Sequence, residues 1–436
     1  MDSLQDYVLW MQDFTFAETG FLDVDALILC NLAYYDFSGL FDEQTKEVYV
    51  RDAQKILDAD QVKVEIAIHD KKYTDLLQAV VQSKRFGNLR MRDYVDIKKT
   101  DPPMQYAVET FLDDDGLAFI AFRGTDDSLV GWYEDFITSF CITESQEMAK
   151  EYVTRAVSAD PDKRWIMGGH SKGGNLAVYA GCNIENSLLE RIRSIYNLDG
   201  PGLAEDVMGC KPKTEVLDKT INIQPEFSVV GKLFDLHIPN TRIIKSFAHG
   251  AFQHAPISWG VDHGKIAQAD GYHPISLWVN EFISNWIERS TIDERKIFLS
   301  EIYEAIAAGG ATTLTELLGE GLEGFMRLQQ RLMNPSDVTK RVMYDFTRQA
   351  FFASIFPKQY KQVEEKKAKK KRAKIENKKA ETKKKKETKE TKNEKRAGKD
   401  SEKNAAKKDL KTESKKEKST KKSAEKNKEK SSKKKK

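Results

Sequence analysis

The chain has 436 residues, 40% hydrophobic and 32% charged, which is enough for one large domain or two ordinary ones. Its net charge of +3 conceals a polarised molecule: residues 361–436 hold 35 Lys+Arg against 14 Asp+Glu, a net of +21, leaving residues 1–360 with 36 against 54, a net of −18. No apolar run approaches the ~18–20 residues of a membrane span, and Met1-Asp-Ser-Leu-Gln-Asp6 lacks the basic-then-apolar pattern of a secretory signal. The expected location is cytoplasmic, with peripheral attachment to a membrane left open by the basic tail.

Residues 1–60 read as helical. Phe21–Tyr35 places apolar residues at helical spacing, with acids near its start, where the helix dipole favours them. A second amphipathic pattern covers about residues 73–83 through Leu76, Leu77, Val80 and Val81. Ala107–Leu112 and Leu117–Phe122, joined by a turn at 113–116, predict a hairpin whose second arm is apolar throughout, as in a strand buried on both faces. A helix is expected over 144–158 and a turn over 160–164. Cys30, Cys141, Cys182 and Cys210 show no C-x-x-C spacing, so neither a metal cluster nor a disulfide framework is expected. Cys30 and Cys141 lie among apolar residues and are expected as reduced core thiols.

The centre of the chain is Trp165–Ala180. A short apolar run enters Gly169-His-Ser-Lys-Gly173, and a helical pattern follows at once. This is G-x-S-x-G in a strand–turn–helix context, which places Ser171 at a sharp apex above the positive end of a helix. Gly169 and Gly173 supply the room that such a turn needs. Further strands are expected over Ile192–Leu198, which ends in Asp199-Gly-Pro-Gly202, and over 220–225 and 242–248. Strands alternating with helices predict an α/β protein with a largely parallel sheet and its site at the strand C-terminal ends. Helices are expected over 277–287, 292–308, 314–333 and 338–355. The glycine-interrupted third of these reads either as packing on the sheet or as a lid. From about residue 361 the chain has too little apolar surface to offset its ordering entropy, and disorder is expected.

Ala121-Phe-Arg-Gly-Thr125, followed by the acidic, Trp-containing segment 132–136, resembles the oxyanion strand of fungal-type class 3 lipases. Together, Phe21–Tyr35, the elbow, Asp199–Gly202 and Gly250–Trp259 resemble a bacterial family known as domain of unknown function 2974, over about residues 1–290. The resemblance implies an α/β-hydrolase fold and a Ser-His-acid site, and it suggests Thr125 as a donor to an oxyanion. The corresponding domain boundaries are a hydrolase domain at 1–290, with its helical N-terminal segment 1–60, a helical extension at 291–357 and a Lys/Glu-rich tail at 358–436.

Acyl transfer needs a nucleophile, a base, an acid to orient the base, and oxyanion donors. Ser171 is the nucleophile candidate, and Lys172 and Thr125 are the backbone N–H candidates. His170 is expected to point away from the hydroxyl and to be structural. His254 is the base candidate, since it follows two strand candidates in a loop rich in small residues and matches the family's Gln-His segment; His249 and His263 are its rivals. Where class 3 lipases carry the acid, this chain has Ser228. Asp199, at the end of the strand after the elbow helix, is the candidate acid, with Glu226 and Asp235 as alternatives. The expected activity is hydrolysis of a carboxylic ester, small or lipid, without metal or cofactor. The alternative is a catalytically weak hydrolase fold that serves as a tethered binding protein. The tail suits anionic partners such as lipid headgroups, RNA or another polyanion. Having no aromatics for base stacking, it predicts no sequence-specific nucleic-acid binding.

Overall fold

A computed structural model describes residues 1–66, 71–100, 103–125, 137, 141–209, 211–234, 236–308 and 335–355. The chain divides into two units, Met1–Phe346 and Thr347–Lys436; in the second, the described residues 347–355 are helical. The acidic Trp segment 132–136, Cys210, Asp235, the candidate lid helix 314–333 and the basic tail all lie outside the described residues.

Eight strands form one sheet in chain order: β1 (Glu47–Tyr49), β2 (Arg90–Thr100), β3 (Pro103–Leu112), β4 (Leu117–Phe122), β5 (Arg164–His170), β6 (Ile192–Leu198), β7 (Thr220–Pro225) and β8 (Asn240–Ile244). β1 to β4 pair antiparallel, and β4 to β8 pair parallel. The longer helices are α1 (Leu4–Met11), α2 (Asp23–Leu32), α3 (Lys71–Gln82), α4 (Glu144–Ala159), α5 (Lys172–Asn183), α6 (Thr214–Lys219), α7 (Pro274–Arg289), α8 (Ile292–Ala308) and α9 (Asp337–Ile355). Helices packed on a sheet that is parallel from β4 to β8 make this an α/β fold. Two features depart from expectation. The N-terminal 60 residues are not wholly helical, because Glu47–Tyr49 joins the sheet edge. β2 was not foreseen: it carries many charged residues, and a register shift between Arg92 and Val95, with Asp93 at φ 55°, breaks the two-residue period.

The strand order explains the layering. Consecutive right-handed crossovers that always step in the same direction along a sheet put their helices on one face. α4 and α5 pack there, with Val216 of α6, against Ala118, Ile120 and Phe122 of β4, Trp165 and Met167 of β5 and Ile195 of β6. The opposite face, carrying Phe119, Ala121, Ile166, Tyr196 and Leu198, has to be covered from elsewhere. α1, α2 and α3 cover it. β4 is thus buried on both sides, which is why its sequence is continuously apolar. α2 is buried from Val24 through Leu32, including Asp25 and Asn31.

Asp25 is held by Arg85, whose Nε and Nη2 donate to its two oxygens at 2.8 and 2.6 Å, while the Tyr7 hydroxyl donates to Oδ1 at 2.9 Å. Arg85 also donates to the Thr15 and Gly20 carbonyls and to Thr19 Oγ1. A buried ion pair is tolerable when its remaining donors are satisfied in this way, and here it ties α2 to the turn that leads into β2. Among the thiols, Cys30 and Cys182 are buried, but Cys141 is exposed rather than in the core. Apolar neighbours in sequence did not report its surroundings: the adjacent Ile142 is itself 43% exposed.

Candidate active site

β5 runs directly into α5 through Ser171, which adopts φ 56° and ψ −129°. A non-glycine residue in that region is strained and persists only when its surroundings hold it. The Ser171 N–H donates to the Leu198 carbonyl at 2.9 Å, and the Ser171 carbonyl accepts from Gly174 and Asn175. The flanking glycines are required by contact. A Cβ on Gly169 would lie 2.3 Å from the Gly173 carbonyl carbon, and one on Gly173 would lie 2.1 Å from the Phe122 carbonyl oxygen. This close approach brings the end of β4 against the elbow, so that a Cβ on Gly124 would sit 3.0 Å from Ser171 Cβ. Thr125 follows in the chain and is buried. Lys172 is the first residue of α5, where helical N–H groups point out of the N-terminal end. Its side chain is buried and donates to the Gln105 carbonyl of β3.

The structure brings Ser171, His254 and Asp199 together. His254 lies in a short 3-10 segment, Gly250–His254. Its Nε2 stands 3.1 Å from Ser171 Oγ and its Nδ1 2.7 Å from Asp199 Oδ2. A carboxylate oxygen accepts, so Nδ1 carries the proton and Nε2 is left to accept from the serine hydroxyl. Asp199 directly follows β6, is fully buried and adopts φ 49°. The Asp-Gly-Pro-Gly turn is fixed by Asn175 Nδ2, which donates to the Pro201 and Gly202 carbonyls, and by Asn197 Nδ2, which donates to that of Gly200. Ser228 Oγ donates to Asp199 Oδ1 at 2.5 Å, and the Ser228 carbonyl in turn accepts from Ser276 and Asn280 of α7. The serine found where an acid was expected therefore buttresses an acid supplied by the neighbouring strand.

The rival residues stand apart from this group. His249 is exposed, and His263 is 95% exposed and pairs with Asp262. Glu226 is half-buried, with its backbone tied to Ile244 and His273. His170 does not face the serine hydroxyl. Its Nε2 bonds the His254 carbonyl and its Nδ1 the Tyr34 hydroxyl, each at 2.7 Å. Burial, reinforced by the neighbouring His254, pushes its pKa well below the usual histidine value, with the bond to the His254 carbonyl opposing. Tyr34 was missed from the sequence, since no local pattern marks a residue whose partner lies 136 positions away. Among the described residues no cluster of His, Cys, Asp and Glu could hold a metal ion, and no helix is long and apolar enough to cross a membrane.

The family model described as Mbeg1-like matches residues 80–304, just over half of the chain. No curated protein matches. Among solved structures, a mutant form of MDLA from Penicillium cyclopium is similar at 12% identity and a TM-score of 0.34, covering 61% of this chain and 86% of that one. M37 lipase is similar at 17% identity and a TM-score of 0.26, over 47% and 68% of the two chains. Lipase II from Rhizopus niveus is similar at 16% identity and a TM-score of 0.25, over 49% and 82%.

Proposed function

The chain belongs to the Mbeg1-like family, a lipase-like family, and from that premise we propose that it is a serine hydrolase cleaving a carboxylic ester through Ser171, His254 and Asp199. The observation that carries this reading is the continuous relay from Ser171 Oγ through the His254 ring to Asp199 Oδ2, with spacings of 3.1 and 2.7 Å, below a strained serine backbone.

In the proposed reaction His254 Nε2 takes the Ser171 proton as Oγ bonds the ester carbonyl carbon. Asp199 holds the tautomer and stabilises the imidazolium that forms. The backbone N–H groups of Lys172 and Thr125 receive the tetrahedral oxyanion, where loss of one donor typically costs about 10²–10³ in rate. The imidazolium then protonates the leaving alkoxide, and an acyl-serine remains. Water, deprotonated by His254, attacks that ester and releases the carboxylic acid. The reading takes residues 1–290 as the hydrolase domain, 291–357 as a helical extension and 358–436 as a charged tail suited to an anionic surface.

The test is labelling by a fluorophosphonate, wild type against Ser171→Ala, followed by hydrolysis of p-nitrophenyl esters of increasing chain length. Labelling and turnover are expected in the wild type and absent in the variant. A folded wild type that does neither would overturn the reading and leave the binding-protein alternative.

A further inference from the structure

Building on Ser171 and His254 as nucleophile and base, we propose that His170 is a positioning residue: its imidazole, oriented by the Tyr34 hydroxyl, ties the backbone of His254 to the elbow and thereby sets the approach of His254 to Ser171.

The proton inventory admits one arrangement. The His254 carbonyl can only accept, so His170 Nε2, 2.7 Å away, carries a proton and donates it. The His170 ring is 2% exposed, and burial keeps it neutral. Nδ1 is therefore a bare lone pair, and the bond at 2.7 Å to Tyr34 has the hydroxyl as donor. Tyr34 lies just past the end of α2, whose residues Val24 to Leu32 are buried, so the donor is fixed by the core rather than by the surface.

The consequence falls on a segment that needs it. The Gly250–His254 stretch is a 3-10 turn outside the main sheet, yet its last residue must present Nε2 to Ser171. Two successive carbonyls are pinned from the protein interior: Gln253 by the Trp259 indole Nε1 at 2.8 Å, and His254 by His170. Gln253 Oε1 also accepts from the Phe227 N–H at 2.8 Å. The His170 and His254 rings sit 4.6 Å apart, and Trp259 meets His170 edge-on at 6.1 Å. Because His170 immediately precedes Ser171, one strand end fixes both the nucleophile and the backbone of its base. A misplacement of about 1 Å between reacting groups can cost on the order of 10²-fold in rate.

Three substitutions separate the two bonds. His170→Asn is too short to reach the His254 carbonyl, and it should lower kcat about 10–100-fold with KM nearly unchanged. His170→Gln places an amide N–H near the Nε2 position and should recover most of that loss. Tyr34→Phe removes the donor to Nδ1 and should cost up to about tenfold, the scale of one hydrogen bond. Nitrogen-15 and proton spectra of the wild-type imidazoles, which need no turnover, should show His170 neutral and protonated at Nε2 at pH 7. They carry the test together with Tyr34→Phe if His170→Asn does not fold. A His170 protonated at Nδ1, or a folded His170→Asn with full kcat, would overturn the tether. A wild type with the expected His170 spectrum that neither labels nor turns over would instead overturn the hydrolase reading and leave the tether standing.

Discussion

Ser228→Ala isolates the buttress behind the acid. The hydroxyl donates to Asp199 Oδ1 at 2.5 Å, with both residues fully buried. The substitution removes this donor while leaving the Ser228 carbonyl, and its bonds from Ser276 and Asn280, in place. A hydrogen bond to a charged group contributes about 1.5–3 kcal/mol, and the carboxylate cannot recruit bulk water in its place. At roughly 2–4 °C per kcal/mol, the melting temperature should fall by about 3–12 °C. Asp199 keeps its bond to His254 but loses the anchor on its other oxygen, so orientation of the imidazole loosens. A fall in kcat of about tenfold, equivalent to ~1.4 kcal/mol of transition-state stabilisation, is expected with KM unchanged. Ser228→Thr keeps the hydroxyl and should restore much of both. Thermal denaturation and p-nitrophenyl ester kinetics measure the two effects. A Ser228→Ala protein that melts and turns over like the wild type would refute the reasoning, and one that melts early with full kcat would confine Ser228 to stability.

Glu109 of β3 is buried with neither carboxyl oxygen hydrogen-bonded among the described residues, and burial raises its pKa well above the usual glutamate value. A raised folded-state pKa gives stability that is complete below about pH 4.3 and is lost as pH climbs toward the folded value, at ~1.4 kcal/mol per unit. Glu109→Gln should therefore gain on the wild type in denaturant titrations at pH 8 relative to pH 5; a pH-independent difference would exclude a protonated Glu109. For the tail, retention of the full-length protein on an anionic support should fall steeply with salt. A full-length variant with the lysines of 361–436 changed to glutamine that elutes at the same salt would place the binding surface elsewhere.

What the sequence disclosed was local. Trp165–Ala180 runs through a strand, a sharp turn and a helix, and the limits of β6 and β7 follow from apolar runs ended by turn residues. Ser171, His254 and Asp199 could be singled out by residue type, chain order and resemblance. What stayed hidden depends on partners distant in the chain. Tyr34 meets His170 across 136 positions, Asp25 meets Arg85 across 60, and Ser228 meets Asp199 across 29. β2 escaped because its charged residues are acceptable in a strand at one side of the sheet, where part of its surface stays wet. Cys141 misled because apolar neighbours in sequence need not be neighbours in space.

Strands laid down in chain order carry a consequence for synthesis. Each strand from β4 onward can join the growing sheet as soon as it leaves the ribosome, with its partner already made. α2 enjoys no such convenience. Its nine consecutive buried residues, Val24 to Leu32, emerge well before the strands they pack on, β4 and β5, which end at residues 122 and 170. At roughly 5–20 residues per second, that apolar segment waits on the order of 10 s for its binding surface. During that interval the nascent chain exposes an apolar segment to chaperones, and its burial is complete only when the later-made strands reach it.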